Sequence, residues 1–119
     1  MDRYFGDWDC VEQVIDNFSM EASELSGAVV IAASYTYEDY SGSAMVVFRK
    51  DGKLYEVHGS HCSCNGLEGQ WDPEETSYEA LQYRLENGEM GSYFGPEFLS
   101  ALQKGLIDEM FDREVLENV

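Results

Sequence analysis

Apolar residues follow two patterns along this chain: helical spacing toward both ends, and unbroken or alternating runs in the middle. Trp8, Val11, Ile15 and Phe18 recur at helical spacing with Val14 beside them, and Asp7 or Asp9 can cap the start, which predicts a first helix near 8–18. A short turn over Met20–Gly27 follows. The run from Ala28 to Ala33 is continuous and β-branched, as in a strand buried on both faces, and then alternates through Tyr35 and Tyr37.

A turn at Glu38–Gly42 leads into Met45-Val46-Val47-Phe48, and Asp51-Gly52 is the strongest hairpin signal in the chain. A two-residue loop there pairs Lys50 with Lys53, Arg49 with Leu54, Phe48 with Tyr55, Val47 with Glu56, Val46 with Val57 and Met45 with His58. That register puts Phe48, Val46, Tyr55 and Val57 on the face expected to meet the helices, with Arg49, Val47, Glu56 and His58 on the other.

Residues Cys62 to Gln70 read as a loop. Asp72-Pro73-Glu74-Glu75 then reads as a helix start, with Asp as N-cap, Pro at the first helical position and acids in the first turn. Tyr78, Leu81 and Leu85 form the inner stripe of that helix, and Gly88 stands where a glycine would end it. A last helix is predicted from Pro96, burying Leu99, Leu102, Leu106 and Met110 with Phe98 and Phe111 nearby. Gly105 within it costs about 1 kcal/mol relative to alanine. The fold expected is α+β: a three-stranded antiparallel meander with an N-terminal helix and two C-terminal helices on one face, order α-β-β-β-α-α, in a single domain spanning 1–119.

Charge changes the picture from fold to partner. The 119 residues carry 24 Asp and Glu against 7 Lys and Arg, a formal net charge of −17. Free nucleic acid and anionic membrane are excluded as partners, because phosphate binding needs cationic surface. A charged partner must be basic. The acids crowd the ends: Asp9, Glu12 and Asp16 line one side of the first helix, and Glu68, Asp72, Glu74, Glu75 and Glu79 precede or open the second. Carboxylates repeated along rigid helices at about 5–10 Å can imitate a phosphate ladder and occupy a basic groove meant for nucleic acid. The alternative is an ordinary solvated acidic surface, and the two differ in whether the acids share one continuous face.

With 44% apolar and 13% aromatic residues the chain can bury a core despite its charge. No leader-like or spanning apolar run is visible, so the cytosol is expected. Three Cys, an odd number, fit reduced thiols better than a disulfide framework.

The segment His58-Gly59-Ser60-His61-Cys62-Ser63-Cys64 holds the densest chemistry. His58, His61, Cys62 and Cys64 make a zinc set by count, but all four fall within seven residues, whereas structural sites join two separated pairs. Cys62 or Cys64 beside His61 would be the nucleophilic version, opposed by a surrounding negative field that holds thiols protonated. Gly66-Leu67-Glu68-Gly69 lacks the Lys and Ser or Thr of a phosphate loop. No catalytic residue and no cofactor is assigned on these grounds.

The stretch YEDYSGSAMVVFRKDGKLYEVHGSHCSCNGLEGQWDPEET, Tyr37–Thr76, resembles a group of small acidic bacteriophage-encoded proteins of unassigned function, with HGSHCSC followed by GLEGQW its most specific part. It brings no catalytic residues. What the resemblance implies, by analogy of class, is an inhibitor of host machinery such as an anti-CRISPR, anti-restriction or polymerase-binding protein. The leading expectation is therefore a non-enzymatic protein, a monomer or small homo-oligomer, that binds a basic nucleic-acid-binding surface of a host protein through these eight acids and Trp71. A small zinc-binding interaction module is the alternative, and a Cys-dependent enzyme the third reading.

Overall fold

A computed structural model describes residues 4–6, 8–38, 41–62, 66–87 and 97–107, without the side chains at 37, 38, 41, 61 and 62. The elements run β1 Tyr4–Gly6, α1 Val11–Phe18, a short 3-10 turn Ala22–Leu25, β2 Val29–Glu38, β3 Ser41–Lys50, β4 Lys53–Cys62, β5 Glu74–Thr76 and α2 Tyr78–Glu86. A further helix, α3, covers 97–107. The strands form one sheet in the order β1-β2-β3-β4-β5, with β1 parallel to β2 and every other pair antiparallel.

This corrects the expected three-stranded antiparallel meander of order α-β-β-β-α-α. The sheet is five-stranded and mixed, and it begins before the first helix. Both added strands are three residues long, too short for alternation to register in a sequence, and each exists because a ten-residue neighbour offers it an edge. The predicted helix start at Asp72-Pro73-Glu74-Glu75 is likewise overturned. Glu74 to Thr76 pair with β4, and α2 opens at Tyr78 behind Ser77, whose Oγ accepts from the Ala80 N–H at 3.1 Å. At the other end α1 starts at Val11, with Cys10 rather than Asp9 at the cap position, and Trp8 lies outside the helix; Asp7 falls outside the described residues. Gly88, Pro96, Met110 and Phe111 fall outside the described residues.

The Asp51-Gly52 hairpin has the predicted register at all six pairs from Lys50 with Lys53 to Met45 with His58. Asp51 and Gly52 both take positive φ, 54° and 77°, as a mirror-image two-residue turn requires.

Helices cover both faces of the sheet, not one. On one face Trp8, Val14 and Phe18 of the α1 layer pack with Ala33, Tyr35, Ala44, Val46, Phe48, Val57 and Leu67. On the other, Tyr78 and Leu81 of α2 and Phe98, Leu102 and Leu106 of α3 pack with Ile31, Ala32, Met45, Val47 and Leu54. The unbroken run Met45-Val46-Val47-Phe48 is buried throughout for this reason, its alternate side chains entering opposite layers. A register shift between Val30 and Ala32 marks a bulge at Ile31, which turns Ile31 and Ala32 to the same layer.

The β4 edge is blunted by a side chain. Beyond the three pairs with β5, Gln70 Oε1 accepts from the Ser60 N–H at 2.8 Å, and its Nε2 donates to the Ser60 carbonyl at 2.7 Å and the Gly66 carbonyl at 2.8 Å. One amide thus pairs with a strand residue as a neighbouring strand would. Gln70→Ala is expected to cost about 1–2 kcal/mol in urea unfolding and to raise amide exchange at Ser60 selectively.

Candidate functional site

The acids reach the surface on different elements. Asp9, Glu12 and Asp16 are exposed on and just before α1. The Glu12 carboxyl lies below its ordinary value, held chiefly by its own backbone N–H and also by Cys10. Glu68 and Asp72 are exposed in the segment whose Leu67 and Trp71 pack on the same layer as α1. On β5, Glu75 is the register partner of Tyr55, which also packs on that layer, whereas Glu74 stands opposite Glu56 on the α2 and α3 side. Glu79 is exposed in the first turn of α2. Six of the eight acids therefore belong to the α1 side and two, Glu74 and Glu79, to the opposite side. They do not form a single row.

None of the eight is ion-paired to another described residue. The described cations are partly committed elsewhere: Lys50 Nζ donates to the Ser23 and Glu24 carbonyls at 3.3 and 3.0 Å, and Arg84 pairs with Glu56. Trp71 is half-buried, stacked on Phe48 with centroids 5.7 Å apart and edge-on to Phe18 at 5.2 Å, so it roofs the core between the acids Glu68 and Asp72.

One group escaped sequence reasoning as a site. Glu56 lies among Val47, Met45 and Leu54 on the sheet face beneath α2 and is only 6% exposed. Arg84 Nη2, from the last turn of α2, donates to Glu56 Oε2. His58 Nε2 lies 2.7 Å from Glu56 Oε1, and because a carboxylate only accepts, that nitrogen carries the proton. Burial pushes the Glu56 carboxyl up, but the bonds from His58 and Arg84, the charge of Arg84 and a bond from Thr76 outweigh it and hold the carboxyl at about 2. Glu56 is thus a carboxylate at any ordinary pH, and its charge is spent inside the protein.

Of the His and Cys candidates, the described residues give the whole of His58 and the backbone of His61 and Cys62. β4 stays extended through Cys62, so His58 and Cys62 stand about 13 Å apart along the strand at roughly 3.3 Å per residue. The side chains of His61 and Cys62, and all of Cys64, are outside the described residues, and among those described no group of three or more His, Cys, Asp or Glu is placed to hold a metal ion. No helix among the described residues is long and apolar enough to cross a membrane. No protein-family model, curated protein or solved structure matches the chain.

Proposed function

We propose that this protein is a non-enzymatic docking protein that binds a basic, nucleic-acid-binding surface of another protein and blocks it. The observation that supports this reading most is the absence of an ion pair, among the described residues, at any of the eight exposed acids, while Arg84 and Lys50 are committed to internal contacts. The bare negative charge faces solvent, where it steers encounter with a cationic surface. The six acids of the α1 side, Asp9, Glu12, Asp16, Glu68, Asp72 and Glu75, supply the docking side. Trp71 stiffens it by tying the loop that bears Glu68 and Asp72 to Phe18 and Phe48. The resemblance of Tyr37–Thr76 to small phage proteins makes a host nucleic-acid-handling protein, met in the host cytosol, the expected target.

The test is competition. Nucleic-acid-binding proteins retained from host lysate by the immobilised chain should be released by added duplex DNA and by raised salt. Asp9→Asn with Glu12→Gln and Asp16→Asn should weaken retention roughly tenfold and flatten its salt dependence, while Glu74→Gln with Glu79→Gln leaves it nearly unchanged. Retention indifferent to DNA, or equal loss from both sets, would remove the docking side from the reading.

A further inference from the structure

β5 and α2 follow one another without a loop: β5 ends at Thr76, Ser77 is the cap, and α2 opens at Tyr78. Both are lightly held. β5 has three register pairs with β4, too few for backbone pairing alone to fix it, and one of them sets Glu74 opposite Glu56, a like charge that weakens the pairing. α2 buries Tyr78 and Leu81, packs Leu85 in part and leaves Tyr83 60% exposed. One side chain of the sheet bonds to both elements. Glu56 of β4 accepts from Thr76 of β5 and from Arg84 in the last turn of α2. α3 is anchored elsewhere on the same layer: Gly105 backs onto Ile31 of β2, and Phe98 meets Phe5 of β1 edge-on with centroids 6.0 Å apart.

We infer that residues 74–86 form one flap, pinned to the sheet by the Glu56 carboxylate and built to lift away as a unit while α3 and strands β1 to β4 stay folded. The junction at Ser77 leaves no slack between the two elements, so neither moves far without the other. They also share the pin, since both the bond from Thr76 and the bond from Arg84 end on the same carboxylate. Their apolar anchorage is smaller than that of α3, which buries Phe98, Leu102 and Leu106, so opening the flap costs less than unfolding the chain. Glu56 is not stranded when the flap is away: water reaches it, and His58 stays beside it on β4 at 2.7 Å. Lifting frees the β4 edge at residues 54–56 and bares the apolar layer around Leu54. Glu74, Glu75 and Glu79 travel with the flap. It rests on connectivity and packing, and holds whether or not the acids dock a partner.

Native-state amide exchange of the full chain, followed by NMR through a series of urea concentrations below the unfolding transition, tests it. The protected amides of β5 and of the middle of α2 should converge on one shallow urea dependence, with protection roughly tenfold or more below that of β2 and β3, whose slope is the steep one of global unfolding. Thr76→Val keeps the β-branched shape, removes the bond from β5 to Glu56 and lies outside α2. It should nevertheless lower protection in β5 and α2 by the same factor, roughly threefold to tenfold. A loss confined to β5, separate urea slopes for the two elements in the unmodified chain, or slopes that coincide with those of β2 and β3 throughout overturns the flap.

Discussion

Arg84→Met is expected to lower the free energy of unfolding by about 3–5 kcal/mol, because it strands the Glu56 carboxylate, 6% exposed, beneath α2 without a cation. Urea unfolding followed by the fluorescence of Trp8 and Trp71 measures it. Glu56→Gln should cost less, since Arg84 is 29% exposed and can turn to water. Replacing both partners, Glu56→Leu with Arg84→Met, should recover most of the loss, because well-packed apolar groups carry no desolvation cost. A double variant as unstable as Arg84→Met alone would mean that the lost packing of the arginine stem, and not the orphaned charge, is responsible.

The same carboxylate gives the pH dependence its sign. Its value falls from 4.5 to about 2 on folding, so its stabilising contribution is present above about pH 4.5 and drains as the pH falls toward 2. Relief of repulsion among 24 acids acts in the opposite direction on acidification. The difference between the unmodified chain and Glu56→Gln isolates the buried group: it should be constant near neutrality and shrink across that acid window. A difference that grows instead would contradict the depressed value.

Gly105→Val is the second large effect, expected at about 3 kcal/mol or more of destabilisation. A Cβ at position 105 would stand 2.7 Å from Ile31 Cγ2, at the bulge where β2 turns two consecutive side chains toward α3. Gly105→Ala sets two terms against each other: about 1 kcal/mol gained in helix propensity, and about 1–3 kcal/mol of overpacking. The clash decides, so alanine should destabilise as well. Ile31→Leu, which removes the offending branch, should recover part of the loss, a coupling that thermal unfolding of the two single variants and the double will read. Stabilisation by alanine would show that α3 can move away from β2 without cost.

The glycine and the buried glutamate were invisible for related reasons. In the sequence Gly105 is only a weak helix residue, and its use as a contact point for Ile31 depends on a strand more than seventy positions earlier. Glu56 was assigned to the correct sheet face by the hairpin register. What was missed is that the face is covered. A signal existed: Met45-Val46-Val47-Phe48 is apolar without alternation, which requires burial on both sides and therefore a helix layer over Glu56. Arg84, as the only cation between Glu68 and Glu97, was its natural partner. At Asp72-Pro73-Glu74-Glu75 local chemistry misled, since Pro with first-turn acids suits a helix start as well as an edge strand.

Local rules dictated the parts of this protein whose forces act between near neighbours. Asp51-Gly52 imposed its turn and, through the pleat, the pairing of β3 with β4; apolar spacing set the inner stripes of α1 and α2; and the charge was written in composition. Which side of the sheet each helix covers, the recruitment of two three-residue strands, and the conversion of Glu56 from a surface acid into a buried ion pair were decided only on assembly. Those outcomes depend on contacts between residues far apart in the chain, whose energies no window of sequence contains.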